Sequence, residues 1–276
     1  MTTAAQVSAT YSRNLVSLRY RRGDALVVVR VREDGPTSGL SSLIRERGIS
    51  GAIVPEEVSG GYEYRLPPGS MLALEADTSK RARVVAEAAC RVVRALHVGA
   101  AGPDSGIPAA PPWIRRLESH RRRIRHDSTP TGALVRSAIP RDYLDIPIVP
   151  SATRPTLLHG APSLATTYLA DGRGLVLTGE DVSTGPPETD WGFLLGELAD
   201  IALFDSFPVA GHGRDVLAVV DTYTEGLDRG LITSFAQHRQ VLHALDYLDS
   251  FVTGTDEVPH EIFTILRKIQ WDTILR

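Results

Sequence analysis

The sequence predicts an α+β fold in which a small β-rich lobe precedes a mostly helical lobe. Short β-branched runs separated by glycine turns occupy the chain before residue 67, which is the pattern of hairpins. Apolar residues then recur at the helical period from residue 79 onward, and one further hairpin pattern interrupts the helices at about residues 157–177. This order indicates an N-terminal lobe at residues 1–66 and a C-terminal lobe at residues 67–276.

Two strand pairs and a short helix are predicted in the N-terminal lobe. Residues 15–20 and 25–31 are rich in β-branched side chains and are joined by an Arg-Gly-Asp turn, so we expect a hairpin. Residues 40–48 have the composition of a short helix that ends at a glycine. Residues 52–54 and 58–66 are expected to pair as strands around a Gly-Gly turn.

Helices dominate the predicted C-terminal lobe. Residues 79–97 repeat apolar side chains at every fourth position, which is typical of an amphipathic helix, and residues 113–126 predict a strongly basic helix. The hairpin at residues 157–177 turns at an Asp-Gly pair. Further helices are expected at residues 191–204, 215–227, 232–251 and 261–275.

The composition excludes several classes of protein. The 30 basic and 33 acidic residues give a net charge of −3, whereas a dedicated nucleic-acid binder would show a basic excess. One cysteine excludes a disulfide framework and a cysteine-based zinc site, and no apolar run reaches the ~18 residues that a membrane span needs. Because the first residues also lack the apolar core of a signal peptide, we expect a cytoplasmic protein with no nucleic-acid and no membrane partner.

The most informative segment, residues 157–198, contains a His-Gly pair, a hairpin and a Gly-Pro turn that leads into an acidic helix start. His159 and Gly160 form the pair, and the later turn ends at Asp190. This order resembles the catalytic core of the aminoglycoside phosphotransferase family, whose loop reads His-Gly-Asp with an Asn five residues later and whose next strand ends in Asp. The resemblance implies a bilobal protein-kinase-like fold and ATP-dependent phosphoryl transfer.

Phosphoryl transfer requires a carboxylate that accepts a proton, ligands for Mg²⁺ and a cation on the phosphates. The resemblance places the base at Ala161, the metal ligands at Thr166 and Thr178, and the phosphate-binding lysine at Arg30. Alanine accepts no proton, threonine lacks the charge that Mg²⁺ prefers, and arginine does not replace lysine at a point-charge site. The segment at residues 7–16, where the family has its glycine loop, contains no glycine. The sequence therefore predicts a catalytically degenerate, pseudokinase-like member.

Neither lysine of the chain is placed to replace the phosphate-binding lysine whose position is Arg30. Lys80 and Lys268 are the only two lysines, the first at the start of a predicted helix and the second near the C-terminal end of the sequence. Neither position lies in a predicted strand of the N-terminal lobe. The loss of the phosphate-binding lysine therefore agrees with the loss of the base and of the metal ligands.

Two functions follow from this resemblance. In the first, the protein is not catalytic, needs no cofactor and uses its cleft or an arginine-rich surface to bind a peptide, a small molecule or a partner enzyme, in a setting such as natural-product biosynthesis. In the alternative, it is an active phosphotransferase that requires ATP and Mg²⁺ and modifies a hydroxyl of a sugar, an aminoglycoside or a precursor peptide. Glu180 or Asp181 would then hold the metal, although solvated turn carboxylates are the simpler interpretation of both.

Simpler structural roles also account for several of these residues. His159 is expected to order the loop backbone rather than react, and Asp190 is expected to cap the helix that follows it. The basic helix is either a solvated helix or a surface for acidic partners, because its arginines cannot all lie on one face. These candidate anion-binding residues are Arg115, Arg116, Arg121, Arg122, Arg123 and Arg125.

Overall fold

The computed structural model describes residues 5–11, 15–22, 25–32, 40–68, 70–71, 79–98, 106–149, 155–204, 212–251, 265–267 and 269. The segment compared above with a glycine loop falls mainly in two strands, β1 (Ala5–Tyr11) and β2 (Leu15–Arg22), and residues 12–14 between them lie outside the described residues. Of the helix expected at residues 261–275, residues 265–267 are helical and most of the remainder also lies outside.

The N-terminal strands form a five-stranded antiparallel sheet. Besides β1 and β2, it contains β3 (Ala25–Arg32), β5 (Glu56–Val58) and β6 (Gly61–Leu66), in the order β1-β2-β3-β6-β5. The predicted hairpin of β2 and β3 is confirmed, and α1 (Leu40–Arg47) confirms the short helix. The boundary between lobes at residue 66 stays a prediction.

One predicted strand pairing is wrong. The strand β4 (Ala52–Ile53) does not pair with β6 but lies parallel to β10 (Arg173–Leu177), more than a hundred residues away in sequence. A strand pattern identifies a strand without identifying its partner, and Pro55 has no N–H with which to continue a ladder toward β5. This pairing connects the N-terminal segment directly to the C-terminal hairpin.

Two small sheets organise the segment between the helices. The predicted hairpin is confirmed by β9 (Thr167–Ala170) and β10, and the sheet order is β4-β10-β9-β7, with β7 at Ser70–Met71. The second sheet was not predicted from the sequence, and in it β8 (Thr156–Leu158) pairs antiparallel with β11 (Ser183–Gly185). This second pairing brings the beginning of the segment at residues 157–198 beside residues 183–185, which lead into its Gly-Pro turn.

The helices of the C-terminal part confirm most of the predicted ones. They are α2 (Ser79–His97), α3 (Pro112–His126), α4 (Pro130–Ala138), α5 (Glu188–Phe204), α6 (Gly213–Tyr223) and α7 (Arg229–Phe251). Only α4 was not predicted, because its sequence has a proline at the start and an internal glycine, Gly132, both of which indicate a turn rather than a helix. Its start does carry a recognisable signal, since the Thr129 hydroxyl accepts from the Gly132 N–H at 3.1 Å and a proline follows it.

One core cluster is made by α2, α5, α6 and the start of α7. Helices α5 and α7 lie so close that a Cβ on Gly192 would come within 2.2 Å of Phe235 Cβ. Cys90 on α2 is fully buried, and burial raises the pKa of its thiol to about 12. The packing of α5 against α7 gives α5 a fixed position from which it can hold the loop described below.

Within the described parts of the chain, no helix combines the length and apolar character that crossing a bilayer requires.

Candidate functional site

The loop at residues 159–166 is held by a buried carboxylate of α5. The N–H groups of His159 and Gly160 donate to the two carboxylate oxygens of Asp190, at 2.7 and 2.9 Å. His97, in the last turn of α2, places Nε2 2.9 Å from the same carboxylate. Asp190 is completely buried and lies inside α5, two residues after its start at Glu188. The expectation that Asp190 caps the helix is therefore wrong, because its carboxylate satisfies loop N–H groups rather than those of its own helix.

A second carboxylate, Glu197, holds the other end of the same loop. Ser163 Oγ and the Leu164 N–H donate to its two oxygens, the latter at 2.7 Å. Burial raises the pKa of Glu197 above its usual range. Glu197 was not among the residues predicted from the sequence. Its position seven residues after Asp190 on an apolar helix does place both carboxylates on one face of α5. Two carboxylates two turns apart thus fix the backbone of the whole loop.

We expect the contribution of Glu197 to the stability of the protein to fall as pH rises above the ordinary glutamate range near 4.3. The folded state holds the Glu197 proton more tightly than the unfolded state, so the stabilisation that protonated Glu197 provides declines as pH rises toward its raised pKa. Glu197→Gln keeps an acceptor for the loop but removes the titrating group, so the stability of this variant relative to the parent should rise with pH across this range. Urea unfolding across pH tests this, with the exposed Glu118→Gln as a control that should follow the parent. Equal slopes for Glu197→Gln and the parent would contradict the assignment.

His159 connects the loop to the end of β10. Its Nε2–H donates to the carbonyl oxygen of Leu177 at 3.0 Å. The ring is buried, and burial lowers its pKa, so the imidazole is neutral near pH 7. A neutral ring that donates to a backbone carbonyl fixes the position of the loop relative to the strand.

Gly160 is where the loop and the segment after β10 meet. Its φ of +94° is a conformation that glycine adopts at little cost, and a Cβ at this position would lie 1.7 Å from the Asp181 carbonyl oxygen. Asp181 is itself half-buried. The two backbones therefore meet one residue before the predicted base position, Ala161, and at one of the two predicted metal ligands, Asp181.

At the three positions where the resemblance places a base and metal ligands, the side chains pack or form hydrogen bonds within the chain. Ala161 is half-buried and packs against the apolar core. The Thr166 hydroxyl donates to the Ser163 carbonyl at 2.8 Å, and the buried Thr178 hydroxyl donates to the Val176 carbonyl at 3.1 Å. The part of the chain that the structure describes contains no cluster of three or more His, Cys, Asp or Glu residues suited to a metal ion. These three positions therefore offer no carboxylate for proton transfer or for Mg²⁺.

Arg30 and Glu180 form an ion pair across 150 residues of sequence. Arg30 lies on β3 opposite Tyr62 of β6, and Glu180 follows the end of β10. The side chains are 16% and 5% exposed, so water screens the pair weakly. Tyr64 lies close to it, and burial together with the Glu180 carboxylate raises the pKa of the Tyr64 hydroxyl. The structure thus joins the residue at the predicted phosphate-binding position to one of the two predicted metal ligands.

One arginine of the basic helix α3 is buried. Arg121 is 5% exposed, lies 4.8 Å from the centre of the Tyr143 ring and donates to the Ile146 carbonyl at 2.6 Å. Its sequence position gave no sign of this, because the partners lie in a later segment. The expectation of a solvated helix is therefore wrong for this residue.

Most of the other arginines of α3 have partners within the chain. Three form ion pairs with aspartates and one donates to a backbone carbonyl, whereas Arg122 is exposed and has no partner among the described residues. The pairs are Arg116 with Asp246, Arg123 with Asp249, Arg125 with Asp145, and Arg115 with the carbonyl of Ala110. These bonds attach α3 to α7 and to the segment before residue 146.

Solved structures with a similar fold are kinases. A choline/ethanolamine kinase family protein from Mesorhizobium loti aligns over 100% of this chain and 92% of its own, with a TM-score of 0.56 and 14% identity. Spectinomycin phosphotransferase, solved with ADP and spectinomycin, aligns over 100% and 91%, with a TM-score of 0.60 and 13% identity. Amicoumacin kinase, solved with AMP-PNP and Ca²⁺, aligns over 97% and 87%, with a TM-score of 0.58 and 13% identity.

The sequence itself matches no family model and no curated protein. At the identities above, the likeness concerns the fold. The chain has the α+β kinase-like fold that aminoglycoside phosphotransferases and choline kinases share.

Proposed function

We propose that this protein is a pseudokinase, which binds a ligand without transferring phosphate. The observation that carries this proposal is the ion pair of Arg30 and Glu180. A kinase needs its phosphate-binding cation and its metal-binding carboxylate to face the nucleotide. Here the two charges neutralise each other, so MgATP would have to separate a largely buried ion pair before it could use either group.

The loop supports the same conclusion from its own geometry. Asp190 and Glu197 hold its backbone in place, although its base position is an alanine. A rigid loop without a reactive side chain is suited to positioning a ligand or a partner and not to proton transfer. We propose that a peptide, a small molecule or a partner enzyme binds in the cleft, by which we mean the space beside the Arg30–Glu180 pair and the loop at residues 159–166. We further propose that no nucleotide or metal is needed and that the setting is natural-product biosynthesis in the cytoplasm.

We expect millimolar ATP with Mg²⁺ to leave the thermal midpoint of unfolding unchanged. A ligand that binds the folded state stabilises it by about 2.7 kcal/mol at a hundred times its Kd, so useful nucleotide binding would be visible as a rise in Tm. Differential scanning fluorimetry with MgCl₂ alone and with NaCl at the same ionic strength provides the controls. A rise specific to ATP would overturn the proposal that the cleft holds no nucleotide.

The second candidate function is an active ATP-dependent phosphotransferase. The observation that favours it is the packing of Asp181 against Gly160, which brings a carboxylate-bearing residue beside the missing base position. Radioactive phosphate transfer from ATP to sugars, aminoglycosides and hydroxyl-containing peptides tests it. Transfer that is lost in the variant Asp181→Asn would establish this function in place of the pseudokinase.

A further inference from the structure

A cavity of about 470 Å³ lies among the C-terminal ends of α3 and α4 and the 3₁₀ helix Arg141–Leu144. Its volume is within the range of small-molecule sites, ~300–1,000 Å³. None of the residues around it belongs to the loop at 159–166 or to the Arg30–Glu180 pair, so it is separate from the cleft. The lining consists of Arg125, Arg136, Ile139, Arg141, Leu144 and Asp145.

The charge of the lining favours an anion. Three arginines and one aspartate line the cavity, which leaves two positive charges in excess, and two aliphatic residues complete the lining. Arg141 is exposed and has no partner among the described residues, so a structural role does not account for it. Its position directly after Pro140 starts the 3₁₀ helix and places it at the cavity.

The guanidinium group of Arg136 is held in position by the end of α3. Its Nη1 donates to the carbonyls of Ile124, at 2.9 Å, and of Asp127, which satisfies the last turn of that helix. Among the described residues, the Arg136 guanidinium group forms hydrogen bonds only through Nη1. Its remaining N–H groups therefore stay available to a ligand in a fixed orientation.

Arg125, a second arginine of the lining, is held in a similar way. Its Nη2 donates to the Leu144 carbonyl and to Asp145 Oδ1, the latter at 2.6 Å. Its other guanidinium nitrogens have no partner in the described part of the chain. A site whose donors are ordered before binding loses less entropy when the ligand arrives.

We propose that this cavity binds the phosphate monoester of a small molecule. A phosphate monoester carries about −1.5 to −2 charges at pH 7, which matches the excess of two positive charges, whereas a carboxylate would leave one charge unbalanced. Arginine is suited to this ligand because its planar donors match the phosphate oxygens. Ile139 and Leu144 would contact the apolar part of the ester.

Isothermal titration calorimetry with phenyl phosphate, benzoate and inorganic phosphate at equal ionic strength tests the proposal. We expect phenyl phosphate to bind more tightly than either of the others, because only it combines a dianion with an apolar group. Arg141→Glu and Arg141→Gln should each weaken binding about tenfold or more, because each removes a guanidinium group that can donate hydrogen bonds to the charged phosphate. Arg122→Glu changes an exposed arginine of α3 outside the lining and should bind like the parent.

Two results would overturn the proposal. One is the absence of measurable heat with millimolar phenyl phosphate while the parent is folded by circular dichroism. The other is equal affinity in the parent and both Arg141 variants. Preference for benzoate would assign the cavity to a carboxylate instead of a phosphate ester. None of these results depends on nucleotide binding in the cleft, so the pseudokinase proposal stands or falls separately.

Discussion

Glu180→Ala should destabilise the folded protein by about 3 kcal/mol. The substitution leaves the Arg30 guanidinium at a largely buried position without its carboxylate, and breaking a buried pair in this way typically costs about 3–5 kcal/mol. We expect a loss at the lower end of this range because the Arg30 side chain is 16% exposed. Urea unfolding followed by circular dichroism measures the change. Arg30→Leu combined with Glu180→Leu should recover most of the loss, because it removes both charges and fills the space with apolar side chains.

Arg65→Ala is the matched control for this prediction. Arg65 also pairs with a carboxylate, Glu56, but both side chains are more than half exposed. Exposed pairs contribute about 0–1 kcal/mol, so this variant should remain close to the parent. If Glu180→Ala were no more destabilised than Arg65→Ala, the ion pair with Arg30 would not be a structural element of the cleft. The pseudokinase proposal would then lose the observation that carries it.

Gly160→Ala should destabilise the protein by about 3–5 kcal/mol. The new Cβ would overlap the Asp181 carbonyl oxygen, which a backbone cannot avoid without moving, and the φ of +94° is strained for any side chain. Overpacking and backbone strain each cost about 1–3 kcal/mol. Because Asp190 holds the Gly160 N–H at 2.9 Å, the loop cannot shift away without losing this bond. Thermal and urea unfolding measure the loss.

Gly172→Ala separates the cost of the steric overlap from the cost of the positive φ. Gly172 also has a positive φ, +72°, but a Cβ there would meet nothing within 4 Å. It should therefore show only the strain of the left-handed conformation, about 1–2 kcal/mol. Similar losses in Gly160→Ala and Gly172→Ala would show that the contact between residue 160 and Asp181 is looser than the structure indicates.

Local patterns were sufficient for most of the secondary structure. The helix at Ser79–His97 was predicted from its apolar period, and the hairpin of β9 and β10 from its Asp-Gly turn. Both signals depend only on neighbouring residues. The pairing of β4 with β10 could not be predicted in this way, because strand partners are chosen by long-range contacts that a local pattern does not contain.

The candidate site shows the same difference between what local patterns predict and what long-range contacts decide. The His-Gly pair and the Asp190 position were identified from their order and spacing, but the role of Asp190 was assigned to a helix cap. Only folding brings its carboxylate to the N–H groups of His159 and Gly160, some 30 residues earlier in the chain. The role of Glu197 could not be predicted for the same reason, because its partners in the loop lie far from it in sequence.

The sequence by itself determined the kinase-like order of elements and the absence of carboxylates at positions 161, 166 and 178, since both depend on residue identity and spacing. Only the tertiary structure decided what the remaining charges do. It paired Arg30 with Glu180, buried Arg121 against Tyr143 and enclosed a cavity among the arginines at the ends of α3 and α4. The physical reason is that the free energy of a charge depends on its burial and on its partner, and folding supplies both.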